Sequence, residues 1–189
     1  MYRTKINLTV QSLLLITLLS FAVTTASAFD NPNGPQLPEQ CGSIRAPEGN
    51  KLAFHAYARG VQVYRWNANT FTWDFVAPVA NLFAEENYFG EVGNHYIGPT
   101  WESKSGSKVE GRRVPGTGCT PDSTAIAWLL LSKFQTGGSG IFSSVTYIQR
   151  VNTTGGLAPS APGTADSERR EVPYTAEYYF YRANKPDKE

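Results

Sequence analysis

The chain has 189 residues, of which 17 are basic and 16 are acidic, and it contains two cysteines and two histidines. This balance, without clustered lysine and arginine, excludes the basic footprint of a nucleic-acid-binding domain, and no polybasic face indicates attachment to anionic lipid. The length predicts a single domain.

Residues 1–28 have the pattern of an export signal. Arg3 and Lys5 precede an apolar run, and Ala26 and Ala28 occupy the −3 and −1 positions of a cleavage site. An uncleaved membrane anchor is the alternative, but polar residues dilute the run, and a spanning helix needs about 20 mainly apolar residues. We expect cleavage after Ala28, no membrane association of the mature chain, and a secreted or periplasmic location.

Residues 29–50 are rich in proline and glycine, which predicts an irregular N-terminal arm. Cys41 lies in this arm, and Cys119 lies in a glycine- and proline-rich loop. Disulfides persist outside the cytosol, and two cysteines allow one intramolecular pairing. A Cys41–Cys119 disulfide would therefore pin the arm to the loop, and two free thiols are the alternative.

The main domain is expected to cover residues 51–183, and the sequence of its first half predicts strands. Leu52–Ala58 alternates with a period of two, and Gly60 then predicts a bulge or bend. Asn67–Thr70 predicts the turn of a hairpin that covers Gln62–Ala77. Alternation places three aromatic side chains on one face, which we expect to be the core face: Phe71, Trp73 and Phe75.

Further along, Pro78 should end the second strand, Val79–Glu86 could form one helical turn, and Gly90–Thr100 is rich in turn residues. Lys108–Val114 predicts a short strand. Ala125–Phe134 could be a buried helix or a buried strand, because periodicity cannot separate the two.

A glycine-rich connection after residue 134 favours a hairpin with Ile141–Val151. Residues 152–171 predict a long loop, Val172–Arg182 a final strand, and residues 184–189 a tail. The pattern predicts an all-β single domain, a β-sandwich or barrel of short antiparallel strands with long Gly/Pro-rich loops.

Several short segments between Pro47 and Arg182 form a recognisable set. They are Gly49–Leu52, Val63–Trp66, His95–Glu102 with Gly106–Val109, Trp128–Leu131, Tyr147–Thr153, and Pro173–Ala176 with Tyr179–Tyr181. Together they resemble the domain-of-unknown-function family 3455. The resemblance implies a secreted bacterial or fungal protein and implies no activity. Ala127 stands where the family leads us to expect proline, and no cysteine lies in the loop around Gly163.

The sequence contains no glycine-rich nucleotide loop, so we expect no cofactor and no dehydrogenase activity. His55 and His95 are candidate metal ligands, although no metal-binding spacing supports them. His95 with Glu102 is the best candidate for a general acid–base pair. Such a pair would make the protein an envelope hydrolase.

Aromatic residues are the strongest remaining signal, because aromatic rings either stack on sugars and small ligands or build cores. The chain has 10 tyrosines, 10 phenylalanines and 4 tryptophans. We expect a module that binds an extracellular glycan or small ligand; the alternatives are the hydrolase and a structural protein without a ligand. The candidate ligand-binding residues are Tyr57, Tyr64, Trp66, Tyr96, Trp101, Tyr179 and Tyr181.

Overall fold

The computed structural model describes residues 34–184. The expected signal peptide with its cleavage site at Ala28, the first residues of the arm and the tail beyond residue 184 lie outside these residues. A short 3-10 helix, Glu39–Ile44, precedes eight strands. The strands are β1 (Asn50–Asn67), β2 (Thr72–Phe83), β3 (Glu91–Tyr96), β4 (Thr100–Ser103), β5 (Lys108–Arg113), β6 (Leu129–Gly137), β7 (Val145–Gly155) and β8 (Arg169–Ala183).

The eight strands form a closed antiparallel barrel in which each strand pairs with the next along the chain. Closure comes from β8, which pairs with β1 from Asn50↔Ala183 to Arg65↔Arg169. The all-β prediction is confirmed, and of its two forms the chain adopts the barrel. Closure leaves no open sheet edge. In the described part of the chain, no helix is long and apolar enough to cross a membrane.

Alternate side chains of the strands point into the barrel and form its main core. Small residues on β1, β2 and β8 leave room there for large rings from the other positions. The alanines among them are Ala56, Ala58, Ala80 and Ala176, and the large residues include Trp101, Tyr174, Tyr178 and Phe180.

Gly60 does not form the predicted bulge, because the β1–β2 register runs unbroken through Gly60↔Ala80. The irregularities lie elsewhere in β1, at Leu52/Phe54 and at Val63/Tyr64. A Cβ atom at Gly60 would lie 2.1 Å from the carbonyl oxygen of Val79. The glycine is therefore required by the close approach of β2.

Several strands are longer than predicted. Pro78 lies within β2, where it pairs with Gln62, so the helical turn predicted after it is wrong. β3 pairs only with Ala80–Phe83, so β2 has a single strand neighbour at Pro78, a position that tolerates the missing N–H group. The turn-rich segment contains β3, and the ambiguous apolar segment contributes the strand β6.

The predicted aromatic core face of β2 is also wrong. Phe71 lies in the turn before the strand with φ 54°, and it is 77% exposed. Phe75 is 55% exposed at the end of the barrel. Trp73 is half-buried and donates its Nε1–H to the carbonyl of Ala161 in the β7–β8 loop. These rings therefore lie at one end of the barrel, where they meet Tyr64 and Trp66 of β1 edge-on, and they do not belong to the main core.

The N-terminal arm packs on the outer face of β6, β7 and β8. The predicted disulfide between Cys41 and Cys119 is confirmed. Its two cysteines belong to a second apolar cluster with Ile44, Leu130 and Val151. Because inward residues of these strands face the main core and outward residues face the arm, the strands are buried on both faces.

Candidate ligand-binding site

The two ends of the barrel differ. At one end, stacked and edge-to-face contacts join Phe54, Phe142 and Phe180 into an aromatic plug. At the other end, where β1 finishes and β8 begins, a cavity of about 600 Å³ enters the barrel. We call it the barrel cavity. A cavity of this size suits a small organic ligand, and eight-stranded barrels are wide enough to hold one.

The inner part of the barrel cavity is aromatic. The imidazole of His95 on β3 stacks on the indole of Trp101 on β4, with ring centroids 4.3 Å apart and planes 9° from parallel. Tyr178 on β8 meets both rings edge-on, at 5.1 Å and 5.2 Å. All three side chains are at most 3% exposed, so they form a fixed inner surface.

The walls nearer the opening are mostly apolar. Their side chains come from β2, from the segment before β6, from β6 itself and from the β7–β8 loop: Phe75, Val76, Pro78, Ile126, Leu129, Leu131 and Leu157. Tyr64 adds a polar tip, and its hydroxyl donates a 2.6 Å hydrogen bond to the carbonyl of Gly156. The lining therefore favours a ligand with a large apolar surface.

Two arginines complete the lining, and among residues 34–184 no aspartate or glutamate joins them. Arg150 on β7 donates from Nε and Nη2 to the carbonyl oxygen of Ala127, at 3.1 Å and 2.7 Å. Arg113 at the rim donates in the same way to the carbonyl of Thr117. Both guanidinium groups are thus held by neutral backbone acceptors.

His95 is neutral in this site. The pKa of His95 is lowered to about 3, mainly by burial and to a smaller extent by the positive charge of Arg150, while the hydrogen bond to Thr100 acts in the opposite direction. Nδ1 lies 2.9 Å from the carbonyl oxygen of Thr100. Because a carbonyl only accepts, Nδ1 carries the proton and Nε2 keeps its lone pair.

The structure does not bring His95 and Glu102 together. Register pairs His95 with Trp101 and Asn94 with Glu102, so the histidine points into the barrel and the glutamate points outward. Glu102 accepts a hydrogen bond from Tyr96 and lies 3.8 Å from Lys108 Nζ. A pKa near 3 also makes His95 a poor general base near neutral pH.

The two candidate metal ligands lie on opposite sides of the barrel wall. His55 is on the outer face, where its Nε2 lies 2.9 Å from Glu177 and its ring stacks on Tyr179. His95 is inside. No group of three or more histidine, cysteine, aspartate or glutamate residues in the described chain is arranged to hold a metal ion.

The seven aromatic candidates do not form one exposed platform. Tyr64 and Trp101 line the barrel cavity. Trp66 is 6% exposed because Gly163 of the β7–β8 loop packs directly on its indole. The other four lie outside the barrel: Tyr96 beside Glu102, Tyr57 and Tyr179 around His55, and Tyr181 beneath the arm at Gly34.

Sequence reasoning did not single out Gln62 or Arg150. Alternation along β7 puts Arg150 on the same face as Ile148, which lies in the main core. A charged residue on an otherwise buried face is the signal that could have identified it. Closure of the barrel decides which face of β7 points inward, and the sequence of a single strand does not reveal that closure.

One family model matches the chain: "Protein of unknown function (DUF3455)", over residues 47–182. The matched range covers all eight strands except the last residue of β8. No curated protein and no solved structure gives a significant match.

Proposed function

Since the chain belongs to the DUF3455 family, whose description names no activity, we propose a function from its geometry: the protein is an exported barrel that binds a small, largely apolar molecule in the barrel cavity. The observation that carries this proposal is the cavity of about 600 Å³ with its mainly apolar lining. Release of water from this apolar lining when a ligand binds is favourable.

Export is part of the proposal. It is supported by the signal-like first 28 residues and by the Cys41–Cys119 disulfide, a bond that persists in oxidising compartments. The disulfide holds the arm on the outer wall, on the opposite side of β6 and β7 from the cavity.

A sugar is a weaker candidate than an apolar molecule. Tyr179 and Tyr181 do not form an exposed stacking platform, since Tyr181 is 2% exposed beneath the arm. Hydrolysis by His95 and Glu102 is weaker still, because the two side chains point to opposite faces of the sheet. These placements favour retention of an apolar ligand over either alternative.

The test is binding of the neutral fluorescent probe N-phenyl-1-naphthylamine to residues 29–189. Ile126 lines the cavity, and Ile141 lies at the opposite end, 51% exposed. Ile126→Trp should weaken probe binding about tenfold, because the larger ring fills part of the cavity. Ile141→Trp, the matched control, should bind the probe as the wild type does.

Circular dichroism and thermal melting of both variants check that they fold. Saturable binding with this pattern supports the proposal. It is overturned if the folded wild type binds no probe, or if the two tryptophan variants bind it equally well.

A further inference from the structure

Arg150 is an uncompensated charge inside the proposed ligand site. It lies across from Tyr178 in the β7–β8 register and lines the barrel cavity. Its two described hydrogen bonds go to one neutral carbonyl, that of Ala127. In the part of the chain that the structure covers, no carboxylate lies within ion-pair distance of it. A partly buried cation without a counterion is costly unless a ligand supplies one.

The charge of Arg150 reaches several side chains of the cavity. Burial raises the pKa of Tyr64, Tyr174 and Tyr178, and the positive charge of Arg150 opposes that rise at each of them. The same charge helps to lower the pKa of His95. The barrel cavity is therefore a positive environment, which favours an anion over a neutral or cationic group.

Two further nitrogen donors in the lining lack acceptors. Trp101 Nε1 and Gln62 Nε2 are buried, with no hydrogen-bond partner among the described residues. Their side chains are 1% and 2% exposed. An indole nitrogen can only donate, and a buried donor without an acceptor costs about 1–3 kcal/mol. Together with Arg150 they make the polar part of the site rich in donors.

The guanidinium of Arg150 determines which charge the acceptor group of a ligand should carry. Ala127 engages Nε and Nη2 of Arg150, and the guanidinium also interacts with the neutral hydroxyl of Tyr178, so all of these partners are uncharged. Arg113, the other arginine of the lining, is bonded in the same way to Thr117, but it is exposed at the rim, where solvent screens its charge. A single half-buried cation matches a singly charged carboxylate, whereas a phosphate monoester brings a charge of about −1.5 to −2.

We propose that the ligand is an apolar monocarboxylic acid whose carboxylate pairs with Arg150 while its apolar body lies against the walls formed by Ile126, Leu129 and Leu131. This inference rests on the proposed function, since it names the class of molecule that the cavity takes. The acid accepts hydrogen bonds and donates none when ionised, which suits the unpaired donors.

The experiment is displacement of N-phenyl-1-naphthylamine near neutral pH by decanoic acid, 1-decanol and decyl phosphate. The acid should bind about tenfold more tightly than the alcohol of the same chain length, because it forms a charge-assisted hydrogen bond. Arg150→Gln should abolish that preference and leave the affinity for the alcohol within about threefold of the wild type. Arg150→Lys should retain part of the preference, since it keeps the charge and loses the fork.

Arg112→Gln is the matched control. Arg112 precedes Arg113 on β5, but its guanidinium lies over the Phe134 ring on the outer face, 4.0 Å from the centroid. This change removes the same charge from outside the cavity, so the preference for the acid should persist. If Arg150→Gln does not fold, the preference for the acid over the alcohol is compared between the wild type and Arg150→Lys.

The inference is overturned if acid and alcohol bind the wild type equally, if decyl phosphate binds more tightly than the acid, or if Arg150→Gln weakens acid and alcohol alike. In each of these cases the cavity still binds apolar molecules, and the proposed function stands. If neither the probe nor any of the competitors binds, the proposed function itself fails.

Discussion

His95 and Trp101 lie face to face inside the barrel, 4.3 Å apart, because register pairs them across β3 and β4. Tyr178 closes the edge of this pair, and the imidazole is 3% exposed. Water therefore has little access to the imidazole, and a positive charge on the histidine would be poorly solvated. Burial thus makes His95 a determinant of stability at low pH.

The first prediction is a loss of stability as the pH falls below the unfolded-state pKa of histidine. Burial lowers the pKa of His95 from 6.5 to about 3, so between these values the unfolded chain binds a proton that the folded chain excludes. The cost begins below about pH 6.5 and reaches about 2 kcal/mol near pH 5. Urea unfolding at a series of pH values measures it.

His95→Asn isolates this contribution, because the asparagine amide can still donate to Thr100 while the titrating ring is gone. The variant should be less stable than the wild type at neutral pH, and the pH dependence that His95 causes between about pH 5 and 7 should be absent. Above that range, both proteins should respond equally to pH. If the free energies of unfolding of the two proteins change in parallel with pH across the acidic range, His95 is not the responsible group.

Much of the fold was predictable from local patterns. β1 and β8 have long alternating stretches, and both cysteines lie in a chain with an export-like leader, so the strands and the disulfide could be predicted from residue types. The strand end predicted at Pro78 was wrong because the tolerance of proline in β2 depends on where β3 stops pairing. A single strand carries no information about the length of its neighbour.

The site was less predictable than the fold. His95 and Glu102 are close in sequence and were paired for that reason, yet a tight turn between β3 and β4 sends them to opposite faces. Tyr64 and Trp101 were singled out and do line the barrel cavity, whereas Arg150 was not. Inside and outside are defined only once β8 closes on β1, and this closure is a property of the whole chain.

The second prediction concerns the close approach of β1 and β2. A Cβ at Gly60 would lie 2.1 Å from Val79 O and 2.5 Å from Ala80 Cα, so the backbone would have to move. Gly60→Ala should lower the free energy of unfolding by about 3 kcal/mol, as overpacking does. Chemical denaturation followed by tryptophan fluorescence measures the change.

Gly42→Ala is the control for this substitution. Gly42 lies in the 3-10 helix of the arm, and a Cβ atom added there would have no atom within 4 Å. The same added methyl group should leave stability unchanged or raise it by less than about 1 kcal/mol. Equal effects at the two positions would contradict the packing explanation and point to a general cost of replacing glycine.

The third prediction separates the arm from the barrel cavity. The disulfide closes a sequence separation of 78 residues, and its cysteines pack with Ile44, Leu130 and Val151 on the outer wall. The double variant Cys41→Ala/Cys119→Ala should lose about 2–5 kcal/mol of stability, because the unfolded chain is no longer constrained. The wild type under reducing conditions should lose a similar amount.

Binding of the neutral probe should nevertheless survive in the disulfide-free variant at temperatures where it remains folded. Tyr64, Trp101 and Leu129 face the cavity from inside the barrel, and the arm contacts the opposite face of β6 and β7. Limited proteolysis should then cut within the arm before it cuts within the barrel. Loss of probe binding in a variant that is still folded would mean that the arm holds the cavity in shape, and the separation of the two faces would be wrong.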